Sequence, residues 1–284
     1  MLITRSKLRA LIREEILVKE SKYSGMSLQN VLGFFDKYSN NTWIFFDTET
    51  LGFNPHINQL TEIAGVAVNP NGWDSDIQIA GTFNEKIKLD DESKEKIQRH
   101  KSLSPEEKEE RGSSMTAPEV LSMTRYGERG RDYLDEQDVI NSFLQFVDSF
   151  PNPVLVAQNA SFDMEFISVR SSQKMNRYPV IDTMKIMQLF LIPLLRTLRS
   201  DPHNDEEASK FLSQIKRGRR YSSSMGVVSS AYGISIKGWH NALADVEMLM
   251  SLFQHVVDTL RKNVDINIRP EHEKAVVRTT RRRR

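Results

Sequence analysis

The chain contains no cysteine. That removes disulfide scaffolds, thiolate zinc centres and cysteine nucleophiles, and leaves oxygen and imidazole as the ligands for any metal. The absence fits a reducing compartment. No apolar run is long enough to span a bilayer, and the opening segment MLITRSKLRALIREEILVKE carries charges throughout, where a signal peptide requires an apolar stretch. A cytoplasmic protein with no membrane contact is expected. A phosphate-cradling glycine pattern of the P-loop type is also missing, which argues against an NTPase. Charge of one sign is lacking overall, the formal net charge being +1, yet Lys216, Arg217, Arg219 and Arg220 cluster and the chain closes on RTTRRRR. Such basic runs permit nucleic-acid contact without requiring it.

What is present suffices for one core with appendages: 284 residues, of which 39% are hydrophobic. Residues 1–40 read as an N-terminal helical extension. Over 5–20, Leu8, Leu11, Ile12 and Ile16 share one helical face, suited to docking on its own domain, to a protein partner or to a membrane surface. SLQNVLGFFDKY follows as a second helix with Ser27 as a candidate N-cap. Residues 41–262 read as the main domain and 263–284 as a basic tail.

Within the main domain TWIFFDTE, QLTEIAGVAV and DSDIQIAGTF read as three strands joined by short links, an antiparallel meander with a turn at Asn69-Pro70-Asn71-Gly72. Residues 85–114 are so charged that a solvated helix or a mobile insertion with no catalytic role is expected. Helix EQDVINSFLQFVDSF stops at Pro151. A buried strand PVLVAQN, a helix from Ser161, a short strand and long helix in RYPVIDTMKIMQLFLIPLLRTL, and a closing helix in HNALADVEMLMSLFQHVVDTL complete the chain. A meander followed by βα units predicts a mixed α/β sheet.

Period two along WIFFDTETLGF sends Asp47 and Glu49 to the same face, where two carboxylates repel unless a cation neutralises them. In NASFDMEF, Asp163 points from the first turn of a helix that follows a buried strand, which is where α/β sheets place ligands. In HNALADVEML, His240 and Asp245 straddle a helix start. Singly, each has a plain structural explanation: an exposed strand end, an acid complementing a helix dipole, an ordinary helix N-terminus.

Jointly and in this order, the three motifs resemble those of the DnaQ-like, or DEDDh, 3′→5′ exonucleases over roughly residues 42–260. Thr48, Thr50 and Gly52, Ile181-Asp182-Thr183 and Ala231-Tyr232-Gly233-Ile234 agree with the resemblance, with Asp182 read as a structural acid. A sister group carries a catalytic Tyr four residues before the last Asp. Asn241 occupies that place here, so His240 indicates the histidine branch. The resemblance implies a ribonuclease-H-like α/β fold, a mixed five-stranded sheet flanked by helices, with 41–262 as the exonuclease domain and a charged insertion at about 85–114. The long spacings from Glu49 to Asp163 and from Asp163 to Asp245 depart from the family, and extra elements at 85–114 and 190–222 are expected to reshape the substrate groove.

By the same resemblance Asp47, Glu49, Asp163 and Asp245 hold two Mg²⁺ ions, for which Mn²⁺ can substitute, about 3.5–4 Å apart. Asp47 bridges both, Glu49 and Asp245 complete the site of the water-binding ion, and Asp163 assists the second. His240 is the general base. Thr48, Leu51 and Gly52 lie along the terminal sugar and base, with Asn159 near the cleft, and Leu51 or Phe53 can wedge against the last base. Single-stranded DNA is the expected substrate in preference to RNA. Trimming of RNA 3′ ends, proofreading beside a polymerase, and a non-enzymatic nucleic-acid-binding or assembly module recruited through the N-terminal helix remain as alternatives.

Overall fold

The computed structural model describes residues 28–69, 77–101, 133–171, 175–200, 202–235 and 241–266. The amphipathic segment 5–20, the turn residues Pro70, Asn71 and Gly72, the charged stretch beyond residue 101, His240 and the terminal arginine run lie outside the described residues.

Strands β1 (Trp43–Thr50), β2 (Leu60–Val68) and β3 (Ile79–Lys86) form the expected antiparallel meander, β1 pairing with β2 and β2 with β3. Strands β4 (Val154–Ala157) and β5 (Val180–Asp182) add in parallel on the other side of β1. The order is β3-β2-β1-β4-β5, the mixed five-stranded sheet of a ribonuclease-H-like fold. Every residue of β2 is buried, because it lies between two neighbours and both faces of the sheet are covered.

Alternation along β1 sorts its side chains. Trp43 and Phe45 enter one core, Ile44 and Phe46 the other. On the first face lie α1 (Leu28–Lys37) and the last helix. Phe253 of that helix sits 5.6 Å from Phe45, 5.5 Å from Trp43 and 5.6 Å from Phe35 of α1, ring centre to ring centre. Truncating so central an aromatic costs about 3–5 kcal/mol. On the second face, Phe143 of α3 (Glu136–Asp148) packs 5.7 Å from Phe46 and 5.5 Å from Phe83. Helix α2 (Asp91–Lys101) follows β3 and occupies the first part of the charged stretch.

Helix α4 (Ala160–Ser168) follows β4. The long helix expected after β5 runs without interruption from 183 to 199, as α5 (Thr183–Ile186), a π turn over Met187–Leu191, and α6 (Ile192–Arg199). Pro193 accounts for the π turn: it lacks the N–H that an α-helical bond there would need, and the wider turn accommodates the missing bond. Then come α7 (Glu206–Ile215), a hairpin of β6 (Lys216–Arg217) and β7 (Arg220–Tyr221), α8 (Met225–Ala231) and α9 (Ala242–Lys262). Among the described residues no helix is long and apolar enough to cross a membrane.

Candidate active site

The carboxyl end of β1 brings Asp47 and Glu49 out on the face that α9 covers. Asp245 meets them from the first turn of α9, whose start is set by Asn241: its side chain accepts from the Ala244 N–H at 3.2 Å. Carboxylate oxygens of Asp47, Glu49 and Asp245 all lie within 4.8 Å of one another. Asp163 arrives from the neighbouring strand. Past β4, Asn159 takes a left-handed conformation (φ 60°, ψ 47°) that turns the chain into α4, and its N–H donates to Asp182 Oδ1 at 3.1 Å. Asp163 Oδ1 then accepts from the Thr48 N–H at 3.0 Å and the Thr48 hydroxyl at 2.6 Å. Helix α4 is thereby tied to β1 beside the three-carboxylate group.

Burial and mutual repulsion act together on these acids. Burial, then Asp163, Glu49, Asp245 and Glu62, holds the Asp47 carboxyl well above its ordinary range. Glu49 is pushed up to about 8 by burial and by Asp245, Glu62 and Asp163, against a lowering from Lys86. Burial raises Asp163 to about 7 in spite of the two Thr48 hydrogen bonds. Converging, buried, oxygen-only donors whose ionisation is opposed in this way fit a divalent cation, whose charge reverses the local preference.

The residues expected along the substrate occupy the same edge. Thr48 is buried with its hydroxyl committed to Asp163. The Leu51 N–H donates to the Gln59 carbonyl at 3.0 Å. At Gly52 a Cβ would stand 2.7 Å from Asn58 Oδ1, so any larger residue would displace the side chain that accepts from the Asn54 N–H. Phe53 is 78% exposed and meets Phe162 edge-on at 6.4 Å. His240 lies outside the described residues, next to Asn241.

Two participants escaped the sequence reading, Glu62 and Lys86. Glu49 faces Glu62 across β1 and β2, and Glu62 faces Lys86 across β2 and β3, so the three stand in one row. Lys86 Nζ lies 3.9 Å from Glu62, both side chains buried, and Asn241 Nδ2 donates to Glu62 Oε1 at 3.1 Å. This row joins the meander to the start of α9. The signal was available: one acid within the apolar run LTEIAGVAV demands a buried partner. Asp182 serves backbone groups, accepting also from the Met184 N–H at 3.1 Å, as expected of a structural acid.

No known family profile matches the chain. Among solved structures, a zinc-bound complex of Escherichia coli exonuclease I with single-stranded DNA superposes with a TM-score of 0.51 at 16% identity, over 79% of this chain and 42% of that one. The chain has the fold of that part of exonuclease I. The E. coli exonuclease I complex with a dT13 oligonucleotide likewise gives 0.51 at 16% identity, covering 79% and 43%. A curated relative, the PolC-type DNA polymerase III of Clostridium perfringens, is 24% identical over 239 residues, 84% of this chain and 13% of the polymerase. The chain thus spans less than half of exonuclease I and a small fraction of the polymerase.

Proposed function

We propose that the chain is a metal-dependent 3′→5′ exonuclease that releases nucleoside monophosphates from single-stranded DNA. The convergence of Asp47, Glu49 and Asp245, with Asp163 tied alongside by Thr48, carries this reading. The single-stranded DNA bound by exonuclease I, which shares the fold, supports the choice of substrate. In this reading residues 41–262 are the catalytic domain. Divalent cations held by Asp47, Glu49, Asp163 and Asp245 supply Lewis-acid polarisation of the scissile phosphate and neutralise charge on the leaving oxygen. Mg²⁺ suits the oxygen donors and Mn²⁺ can replace it; because exonuclease I is known with zinc, Zn²⁺ belongs in the comparison.

The side chains divide the remaining work. His240 takes a proton from the attacking water as the new P–O bond forms and the bond to the leaving 3′-oxygen breaks. Thr48 keeps Oδ1 of Asp163 engaged, which leaves Oδ2 as the oxygen for a cation. Glu62 holds Asn241, and with it the first turn of α9 that carries Asp245. Leu51, Gly52 and Phe53 border the terminal nucleotide, and Asn159 lines the cleft.

Oligonucleotides of one sequence, as single-stranded DNA, duplex DNA and RNA and labelled at either end, test the proposal with Mg²⁺, Mn²⁺, Zn²⁺ or EDTA. Mononucleotides leaving the 3′ end of single-stranded DNA, only with a divalent ion, are expected, with His240→Ala slower by at least about a hundredfold. Faster digestion of RNA would make it an exoribonuclease, and no digestion with any ion would leave a binding module. The polymerase relative favours a second reading, an exonuclease acting beside a polymerase. Preferential removal of mismatched 3′ termini from primed duplexes would select it.

A further inference from the structure

The basic cluster at 216–220 forms a built element of the fold. Lys216 pairs with Tyr221 and Arg217 with Arg220, and the two-residue loop has Gly218 at φ +59°, a positive value suited to a tight hairpin turn. The Ser222 N–H donates to the Ile215 carbonyl at 2.9 Å and closes the base of the hairpin. Lys216, Arg217, Arg219 and Arg220 are all exposed, and no acidic residue occurs from 216 to 224. Two more guanidinium groups flank it from α6: Arg199 donates to the Tyr221 hydroxyl at 3.0 Å, and Arg196 lies 5.8 Å from the Tyr221 ring.

The segment directly after the hairpin is tied to the end of β4, the strand that leads to Asp163. Gln158, directly after β4 and five residues before Asp163, donates to the Ser223 carbonyl at 2.7 Å, while its Oε1 accepts from Thr183. Gln188 donates to Ser223 Oγ at 2.8 Å. The chain that leaves this six-residue, four-cation hairpin is therefore anchored at Ser223 by side-chain hydrogen bonds, one of them from Gln158 at the carboxyl end of β4. Like charges gathered with no ion pair to an acid among the described residues repel, and they are offset by a polyanion with evenly spaced negative groups.

We propose that the β6–β7 hairpin is a phosphate-binding arm that grips the backbone of the single strand upstream of the nucleotide being removed, an assignment that rests on the exonuclease reading. Arg217 bonds the Gln214 and Lys216 carbonyls at 3.0 and 2.9 Å and steadies the end of α7. Lys216, Arg219 and Arg220 make the phosphate contacts.

The test compares the full chain with the triple variant Lys216→Gln, Arg219→Gln, Arg220→Gln, and with Lys94→Gln on α2 as a surface control. Binding of single-stranded DNA is measured in EDTA, where no cleavage occurs, across a series of KCl concentrations. The triple variant is expected to bind at least about tenfold more weakly at low salt, with a log–log salt slope shallower by about 2. In Mg²⁺ its KM rises while kcat changes less than about twofold, and the rise grows from oligonucleotides of about 4 to about 20 nucleotides. An unchanged slope and an unchanged KM overturn the arm, as does a wild-type chain that does not bind single strands, or a loss matched by Lys94→Gln. A wild-type chain that binds through the hairpin yet digests nothing overturns the exonuclease reading and leaves the arm standing.

Discussion

Two groups of acidic side chains lie toward opposite faces of the same sheet and are treated in opposite ways. Glu136, at the start of α3, accepts from Arg170 Nε and from the Leu60 N–H, each at 2.9 Å, and Arg170 also bonds the Phe166 and Asn58 carbonyls. Asp47, Glu49 and Asp245 instead face one another, and the nearby ammonium of Lys86 is engaged with Glu62. The first acid is held by the chain's own donors and fastens α3 and α4 to β2. The acids of the second group repel one another, a repulsion that a bound cation would relieve, which is the arrangement expected where binding rather than folding selected the residues.

The sharpest way to break this contrast is Asp47→Asn. Nuclease activity should fall by at least about a thousandfold, while the metal-free melting temperature stays the same or rises because one repelling charge is gone. A lowered melting temperature would make Asp47 a structural acid like Glu136. Next in size, Glu136→Gln should lose about 1.5–3 kcal/mol in urea denaturation, equally with and without Mg²⁺, as it weakens a charge-assisted pair with Arg170. A loss that Mg²⁺ repairs would link Glu136 to the site.

Smaller in effect is the pH dependence of the metal-free chain. With Glu49 raised to about 8 and Asp163 to about 7, the folded chain keeps protons that the unfolded chain releases above the ordinary carboxylate range. Stability from these groups is therefore full below about pH 4 and is lost as pH rises toward 8. Melting temperature should decline by several degrees from mildly acidic to mildly alkaline buffer, and saturating Mg²⁺ should remove the decline. A flat metal-free profile would show that the carboxylates do not interact as their spacing requires.

Local pattern and local chemistry made much of this legible in advance. Alternation in WIFFDTET and the apolar run VLVA needed only period and propensity, and both strands lie where that pattern puts them. The two-residue step from Asp47 to Glu49 already implied a shared face. Glu62 shows the limit: its neighbours in sequence are apolar, and what gives it meaning is Glu49 on one strand, Lys86 on another and Asn241 on a helix far along the chain. The π turn at Met187–Leu191 was signalled by Pro193 but obscured by the strong apolar pattern around it.

By itself the sequence determined the strand and helix types, the faces that are apolar and the acids available for chemistry, because these depend on spacings of two to four residues. Tertiary structure alone decided which acids meet. It brought Asp245 onto Asp47 and Glu49, tied Asp163 to Thr48 rather than into the same three-carboxylate group, and anchored the chain after the arginine hairpin, at Ser223, to Gln158. Those encounters join residues far apart in the chain, and only burial of the two cores on either side of the sheet fixes their distances.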